Sequence, residues 1–315
     1  MSEITLLAEV TAFLRQPHGQ FIAGQREAGR GAPFAVINPA TGRAIAEVTA
    51  ADSDQADRAM ESARQAFSQW REMPTLARGA LLLKLADTLA EHREALAQLE
   101  SLCSGKTITL ARMLELDQSV AFLRYFAGWA GKVTGETLDV SLPSMAGEKY
   151  TAFTRRQPLG VVVGIVPWNF SIMIAIWKLA AALVCGCTIV LKPSEYTPLT
   201  LLRVAELAKA VGIPDGVINV VNGAGGEIAQ RLITHPACAK VSFTGSVATG
   251  EKVQQSASAS GKRVTLELGG KNAALFLDDL TPEAMVNGII EAGYLNQGQI
   301  CAAAERFYLP QGKLD

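Results

Sequence analysis

The feature that most constrains the fold is a regular alternation of short β-branched segments with helical segments between residues 160 and 268. The predicted strands are 160–166, 188–191, 217–221, 240–243 and 264–268, and the predicted helices between them are 172–184, 199–211, 226–233 and 247–257. Strands joined through helices run parallel and are covered on both faces. The sequence therefore predicts an α/β fold with an open, parallel, Rossmann-like sheet, in which ligands bind at the carboxyl ends of the strands.

The residues before this alternation predict N-terminal helices and two hairpins. A Pro-Ala-Thr-Gly turn divides 34–50 into two short extended runs. Apolar residues then recur every three or four positions, which predicts three amphipathic helices, at 52–74, 76–102 and 108–131. Two further extended runs, 137–142 and 150–156, predict a protruding β-hairpin.

Charge and cysteine content exclude several functions. The 29 Lys and Arg against 30 Asp and Glu give a net charge of −1, so no basic field attracts a phosphate backbone, and nucleic acid is not an expected partner. The five cysteines form no CxxC pair, so no metal site is predicted, and the thiols are expected to be reduced. Because the N-terminus also lacks the pattern of a signal peptide, the expected location is cytoplasmic.

One segment has the length of a membrane span. Residues 172–191 are apolar apart from Lys178 and approach the roughly 20 residues that a span requires. Gly186 divides this segment into a helical and a β-branched part, and Lys178 at mid-span would cost roughly 3 kcal/mol. The sequence therefore predicts a buried helix followed by a buried strand, and no membrane partner.

Two strand ends carry residues suited to a dinucleotide. Phe243 to Gly250 runs from a strand through a Gly-Ser turn into a helix, whose free N–H groups could hold a pyrophosphate, although an ordinary strand-to-helix turn explains this motif about as well. At the end of another strand, Lys192 and Glu195 could bind an adenosine ribose, or they could form a solvated charge pair. A carboxylate at Glu195 would repel a 2′-phosphate, which favours NAD over NADP.

Three further residues are candidates for covalent chemistry. Glu267 lies at the apolar end of a strand, where desolvation would suit it to act as a general base. Cys301 is flanked by Gly298 and by the alanines that follow it, which leaves room for a substrate. Asn169 follows a strand in a Pro-Trp turn and offers an amide donor for an oxyanion, or it caps the turn.

The other cysteines have a simpler interpretation. Cys185, Cys187 and Cys238 lie in apolar or helical surroundings and are predicted to be small buried hydrophobic residues.

Five motifs in this order and spacing resemble the aldehyde dehydrogenase family. They are PWNF at 167–170, KPSE at 192–195, FTGSVATG at 243–250, LELGGK at 266–271 and GQIC at 298–301. The likeness extends from about residue 20 to the end of the chain. Within the family, the run LNQGQICAAAERFY and the WK pair at 177–178 most resemble bacterial members that oxidise phenylacetaldehyde.

The resemblance implies NAD(P)-dependent oxidation of an aldehyde to its acid, with an aryl-acetaldehyde such as phenylacetaldehyde as the substrate. Cys301 would attack the carbonyl carbon, Asn169 would hold the oxyanion, and Glu267 would deprotonate the water that hydrolyses the thioester. The family roles of the remaining residues concern the cofactor: Lys192 and Glu195 for the ribose, Gly245 and Ser246 for the pyrophosphate, and Gly225, Phe243 and Trp168 for the walls of the cleft. Leu268 would meet the nicotinamide through its backbone.

The resemblance also implies a domain organisation. Residues 1–135 and 157–268 would form an NAD-binding domain, 136–156 an oligomerisation hairpin, and 269–315 the start of a truncated second α/β catalytic domain. Ser171 and Ala181 stand where many relatives have proline.

Because the sequence stops soon after Cys301, whereas family members continue much further, the expectation is that 306–309 is a strand without sheet neighbours. The homo-oligomers formed by full-length relatives would then be impaired. An inactive NAD-binding remnant is the alternative to an enzyme, and Glu267 argues against a relative that resolves its thioester with coenzyme A.

Overall fold

The computed structural model describes residues 5–140, 143 and 147–313. Its first part consists of helices and short hairpins. In chain order the elements are α1 (Ala8–Leu14), β1 (Gln20–Ile22), β2 (Gln25–Glu27), β3 (Pro33–Asn38), β4 (Arg43–Thr49), α2 (Ser53–Glu72), α3 (Thr75–Glu91), α4 (Arg93–Ser104), α5 (Ile108–Leu110), a π-helix (Ala111–Asp117), α6 (Gln118–Ala127), β5 (Thr137–Leu138) and β6 (Ala152–Phe153).

The second part contains the predicted alternation, followed by a smaller C-terminal unit. The alternating elements are β7 (Val161–Ile165), α7 (Ser171–Val184), β8 (Thr188–Lys192), α8 (Leu199–Ala210), β9 (Ile218–Val220), α9 (Glu227–Thr234), β10 (Cys238–Gly245), α10 (Val247–Ser258) and β11 (Arg263–Leu268). The C-terminal elements are β12 (Asn272–Leu275), α11 (Pro282–Ile289), a second π-helix (Ile290–Tyr294), a 3₁₀ turn (Leu295–Gly298), β13 (Ala304–Tyr308) and a final 3₁₀ turn (Gln311–Lys313). The predicted fold class and all five predicted strands between 160 and 268 are confirmed.

The order of the strands in the main sheet is β11-β10-β7-β8-β9-β1-β2. The five strands from β7 to β11 are parallel, and β1 and β2 extend the β9 edge in antiparallel pairs that the sequence did not predict. The chain builds from β7 towards β9 on one side and then returns to build β10 and β11 on the other. The order therefore reverses between β7 and β10, and open parallel sheets bind ligands at the carboxyl ends of the strands at this point.

Helices cover both faces of the sheet, and the side chains of β7 point alternately into two cores. Val162 belongs to a core formed mainly with α3, α4, α6, α7 and α8, whereas Val161, Val163 and Ile165 belong to a second core formed with α2, α9 and α10. This period of two is what an extended strand imposes on its side chains. The near-continuous apolar sequence of β7 follows from burial on both faces.

Local sequence signals fix several helix boundaries. Asp52 accepts a hydrogen bond from the Gln55 N–H at 2.8 Å, and the Gln55 side chain accepts one from the Asp52 N–H, which forms a capping box at the start of α2. Gly105 ends α4 at φ +75°, a left-handed conformation that favours glycine. The segment with the length of a membrane span divides into α7 and β8, and no helix in the described ranges is long and apolar enough to cross a membrane.

Three expectations need correction or restriction. The helix predicted at 76–102 is two helices, because His92 leaves the helical conformation at φ −89° and ψ 14°. In the hairpin at 136–156, β5 pairs with β6 and the Thr154 N–H donates to the Glu136 carbonyl at 2.8 Å, whereas residues 141, 142 and 144–146 lie outside the described residues. The strand predicted at 306–309 does have a neighbour, since β13 pairs in parallel with β12.

Candidate active site

Asn169 lies in the turn between β7 and α7, at the point where the strand order reverses. Its side-chain Nδ2 donates a hydrogen bond to the backbone carbonyl of Gln299 at 2.8 Å. Its own backbone carbonyl accepts from Lys106 Nζ at 2.8 Å and from Asn296 Nδ2 at 3.3 Å. The turn is therefore fixed from the core and also from the segment that precedes Cys301.

Cys301 follows a turn with an unusual backbone. Asn296, Gln297 and Gly298 have φ values of 51°, 58° and 75°, so three successive residues adopt the left-handed conformation that side chains disfavour. Such strain persists only where surrounding contacts enforce it, and here Asn296 is buried and bonded to the Asn169 carbonyl. Cys301 itself is exposed, and its carbonyl accepts from Asn272 Nδ2 at 2.7 Å.

The predicted ribose-binding pair lies at the carboxyl end of β8. Lys192 is the last residue of the strand and is 5% exposed, with Nζ donating to the Pro193 carbonyl at 3.1 Å. Burial lowers the pKa of Lys192, while the nearby carboxylate of Glu195 opposes that shift. The Glu195 carboxylate is therefore close enough to affect Lys192. Glu195 is half-buried, which leaves part of it accessible to a polar ligand.

The predicted pyrophosphate-binding turn lies at the carboxyl end of β10. Ser246 caps α10 by accepting a hydrogen bond from the Thr249 N–H at 3.3 Å. The first N–H groups of a helix have no partner within it, so the start of α10 offers donors to an anion. A Cβ atom at Gly245 would lie 2.6 Å from the Phe243 ring, which explains the need for glycine there.

The other predicted cleft residues lie near the carboxyl ends of strands in the same sheet. Gly225, at φ +67°, has open space where a Cβ would lie, and Trp168 is 39% exposed beside Asn169 in sequence. Leu268 pairs in register with Gly245 at the end of β11. Phe243 is 3% exposed and belongs to the second core, with its ring tip directed at Gly245.

Comparison with known proteins decides the family. The aldehyde dehydrogenase family profile matches residues 26–315. The chain belongs to the aldehyde dehydrogenase family. It is 45% identical to phenylacetaldehyde dehydrogenase of Pseudomonas fluorescens over 94% of this chain and 60% of that protein, and 42% identical to human retinaldehyde dehydrogenase 3 over 90% and 55%.

Solved structures of aldehyde dehydrogenases have the same fold. The NAD⁺ complex of an enzyme from Bacillus cereus matches with a TM-score of 0.93 and 41% identity, over 99% of this chain and 63% of that one. Betaine aldehyde dehydrogenase of Staphylococcus aureus, also with NAD⁺, matches with a TM-score of 0.91 and 36% identity, over 98% and 61%. The chain thus spans about 60% of the length of the relatives it matches.

Glu267 departs from the sequence prediction. Its expected desolvation is wrong for the described structure, because β11 is the edge strand of the main sheet and the Glu267 side chain is exposed. Its backbone pairs with Thr244, one residue before Gly245. Glu267 thus lies at the carboxyl end of its strand as predicted, but the apolar surroundings expected from the sequence are absent among the described residues.

Lys178 is a further candidate for a residue of the active site. The sequence analysis considered it only as a charge that opposes a membrane span. The lysine is 9% exposed on α7 and donates to Ser242 Oγ at 3.0 Å and to Thr244 Oγ1 at 2.8 Å. Burial lowers the pKa of Lys178 to about 8, and the negative charge of Glu267 opposes the shift. A single lysine within an otherwise apolar helix was the signal that could have identified this residue.

Two further predictions concern cysteines and metals. Cys187 and Cys238 are buried as expected, but Cys185 is exposed, because it lies at the end of α7 rather than within the core. In the described ranges, no group of three or more His, Cys, Asp or Glu side chains could hold a metal ion.

Proposed function

We propose that the chain binds NAD at the carboxyl ends of β8 and β10. The donor set supports this proposal: the N-terminus of α10 suits a pyrophosphate, and Lys192 with Glu195 suits the hydroxyls of a ribose. The carboxylate of Glu195 would repel a 2′-phosphate, so NAD is preferred to NADP. When bound, NAD supplies the hydride acceptor for the reaction.

We further propose that Cys301 is the nucleophile in the oxidation of an aldehyde to its carboxylic acid. The observation that carries this proposal is the hydrogen bond from Asn169 Nδ2 to the Gln299 carbonyl, because it ties an amide donor to the turn that presents Cys301. An amide nitrogen has two protons, so the second remains available to an oxyanion.

The proposed steps assign one task to each residue. The Cys301 thiolate adds to the carbonyl carbon, and the π electron pair moves to the oxygen, where the Asn169 amide stabilises the negative charge. Collapse of this oxyanion would transfer a hydride from the carbon to the acceptor that NAD supplies when bound, and would leave a thioester on Cys301. Glu267 then takes a proton from water, the resulting hydroxide adds to the thioester, and the thiolate departs with the acid as product.

We propose an aryl-acetaldehyde as the substrate. Met173 and Trp177 are spaced four residues apart, which places them on one side of α7, the helix that follows the Asn169 turn. Trp177 is 38% exposed and its ring lies 5.0 Å from that of Phe122, so the two rings offer an aromatic surface. The relative from Pseudomonas fluorescens is named for phenylacetaldehyde, which agrees with this choice.

The domain organisation remains a proposal. We assign 1–135 and 157–268 to an NAD-binding domain, 269–315 to part of a catalytic domain, and 136–156 to contact with a second copy of the chain. The exposure of Phe153 (71%) and Leu138 (46%) on the β5–β6 hairpin supports a homo-oligomer formed there. Five unpaired cysteines support a cytoplasmic location, where thiols stay reduced.

NADH formation by the purified chain tests the proposed chemistry. With phenylacetaldehyde and NAD, Cys301→Ala is expected to abolish turnover, whereas Cys185→Ala, which removes another exposed thiol, should leave it unchanged. Turnover that survives in Cys301→Ala would contradict the proposed nucleophile. NAD binding without turnover in the unsubstituted chain would instead favour an inactive, NAD-binding remnant.

The substrate proposal has a separate test. Trp177→Ala is expected to lower kcat/KM for phenylacetaldehyde by about 10-fold, since the loss of one apolar contact in a pocket has that scale. The value for a short aliphatic aldehyde should change little. Equal losses for both aldehydes would contradict an aromatic surface at Trp177.

A further inference from the structure

A cluster of three buried charged side chains lies directly beneath the Asn169 turn. The side chain of Lys106 is 1% exposed, and those of Glu100 and Glu115 are 0% exposed. Lys106 Nζ forms an ion pair with Glu115 and lies 3.3 Å from Glu100 Oε1. Burying three ionisable side chains is costly unless each is held by partners, so the arrangement of those partners indicates what the cluster supports.

Each of the three residues has a hydrogen-bond partner at the start of α7, and Glu100 Oε2 also accepts from the Thr200 hydroxyl on α8 at 2.9 Å. Lys106 Nζ donates to the backbone carbonyl of Asn169 at 2.8 Å. Glu115 Oε2 accepts from the backbone N–H of Met173 at 2.8 Å. Glu100 Oε2 accepts from the hydroxyl of Ser171 at 2.5 Å.

These bonds replace an ordinary helix cap. Phe170 occupies the N-cap position of α7 and makes no side-chain cap hydrogen bond. The carboxylates come instead from α4 and from the first π-helix, and negative charge is favourable at a helix N-terminus. The Lys106 ammonium also lies 4.6 Å from the centroid of the Phe170 ring. The cluster thus fixes the first turn of α7 together with the residue that precedes it.

Two unusual backbone features bring the charges to this position. Glu115 lies on the seven-residue π-helix Ala111–Asp117, a rare conformation that is frequent at functional sites. Lys106 follows Gly105, whose φ of +75° and close approach to Pro39 both require glycine. Neither feature would be needed to fill the core with apolar side chains.

We propose that Glu100, Lys106 and Glu115 are positioning residues for the oxyanion-binding amide of Asn169. This inference rests on the proposed function of Asn169 and deepens it. Lys106 holds the backbone of Asn169 on one side, and the Asn169 amide reaches Gln299 on the other. A displacement of the Asn169 backbone therefore moves its amide away from the turn that presents Cys301, without altering the thiol.

The test compares Lys106→Met/Glu115→Gln with Glu115→Gln alone. The double variant removes the ammonium that holds the Asn169 carbonyl, whereas the single variant keeps that ammonium. Lys209→Met is the matched control, because Lys209 Nζ also donates to a backbone carbonyl, that of Gly24, at 2.7 Å in a different part of the chain.

The first readout is thiohemiacetal formation, measured by ¹³C NMR with phenylacetaldehyde labelled at the carbonyl carbon and without NAD. The double variant is expected to bind the aldehyde about 10- to 100-fold more weakly than Glu115→Gln. Removing an oxyanion donor entirely costs about 10²–10³-fold, and a displaced donor is expected to lose only part of that. Alkylation of Cys301 by iodoacetamide, which needs no oxyanion donor, should stay within about twofold. Equal aldehyde affinities in the two variants would overturn the proposal.

The second readout is amide hydrogen exchange over 166–173, which does not depend on aldehyde chemistry. Exchange there is expected to be at least about 10-fold faster in the double variant than in Glu115→Gln and unchanged in Lys209→Met. If neither the unsubstituted chain nor any variant forms the thiohemiacetal, the proposed chemistry is wrong. In that case the hydrogen-exchange rates over 166–173 alone test whether the cluster positions Asn169. Equal exchange in both variants would overturn that positioning role.

Ser171→Ala, which removes one partner of Glu100, is the milder variant, with an expected loss of affinity of about threefold.

Discussion

The two sides of the candidate active site differ sharply in how they are built. Residues 5–268, the N-terminal region, enclose two apolar cores around the seven-stranded sheet. Residues 269–313, the C-terminal region, have a two-stranded sheet and few buried apolar side chains, of which Met285 and Ala303 are examples. Large apolar side chains in this region are exposed instead, such as Leu275 at 74%, Leu277 at 68% and Tyr294 at 66%.

The residues held by a large apolar core therefore belong to one region, whereas the proposed nucleophile belongs to the other. Asn169, Lys192 and Gly245 are held at strand ends by a large core, but Cys301 belongs to the C-terminal region and is located by the strained turn and its bond to Asn169. Ile300 also packs partly against the first core. The proposed nucleophile is therefore positioned mainly by the N-terminal region, rather than by a core of its own.

The largest expected effect comes from truncating a core side chain of the N-terminal region, compared with truncating an exposed side chain of the C-terminal region. Leu89→Ala, at a position that is 0% exposed, is expected to lower the free energy of unfolding by about 2–5 kcal/mol. Leu275→Ala, on β12, should change the free energy of unfolding by less than about 0.5 kcal/mol. Urea denaturation measures both. Similar losses in the two variants would break the contrast between the regions.

A second prediction concerns the buried charges of the N-terminal region. Burial first, and then the negative charge of Glu100, raise the pKa of Glu115 to about 8. Above the ordinary pKa of glutamate and up to about pH 8, the folded state keeps a proton that the unfolded chain has lost, so stability falls as pH rises through this window.

Glu115→Gln removes this titration. Between pH 5 and pH 8 the variant should therefore lose less stability than the unsubstituted chain, by roughly 3 kcal/mol. Urea denaturation at the two pH values measures the difference. Parallel pH dependence in the two proteins would show that Glu115 does not titrate in this window.

The smallest expected effect comes from removing one helix cap in each region. Asp52 caps α2 in the N-terminal region, and Thr281 caps α11 in the C-terminal region by accepting from the Ala284 N–H at 3.2 Å. Each substitution to alanine is expected to cost about 1 kcal/mol. Asp52→Ala should lower the free energy of global unfolding, whereas Thr281→Ala should mainly accelerate hydrogen exchange within α11. A fall in global stability with Thr281→Ala would mean that the two regions unfold together.

Much of the fold could be predicted because the signals are local. The alternating strands and helices are determined by residues close together in sequence. The same holds for the helix end at Gly105 and for the Pro-Ala-Thr-Gly turn, and the structure has the corresponding elements. The break at His92 and the π-helix were not predicted, since both occur within apolar patterns that an uninterrupted α-helix would satisfy equally well. Packing between helices selects these conformations.

The sequence by itself determined the fold class, the family and the identity of the candidate residues, because each motif keeps its chemistry within a few consecutive positions. Only the tertiary structure decided which distant residues meet. The bond between Asn169 and Gln299, the contacts of the buried Lys106 and Glu115 with that turn and the start of α7, and the exposure of Glu267 on an edge strand all depend on strand order and on packing across more than 20 residues of chain. Such contacts leave no periodic signal in the sequence, since each partner is compatible with its local element whether or not the other is present.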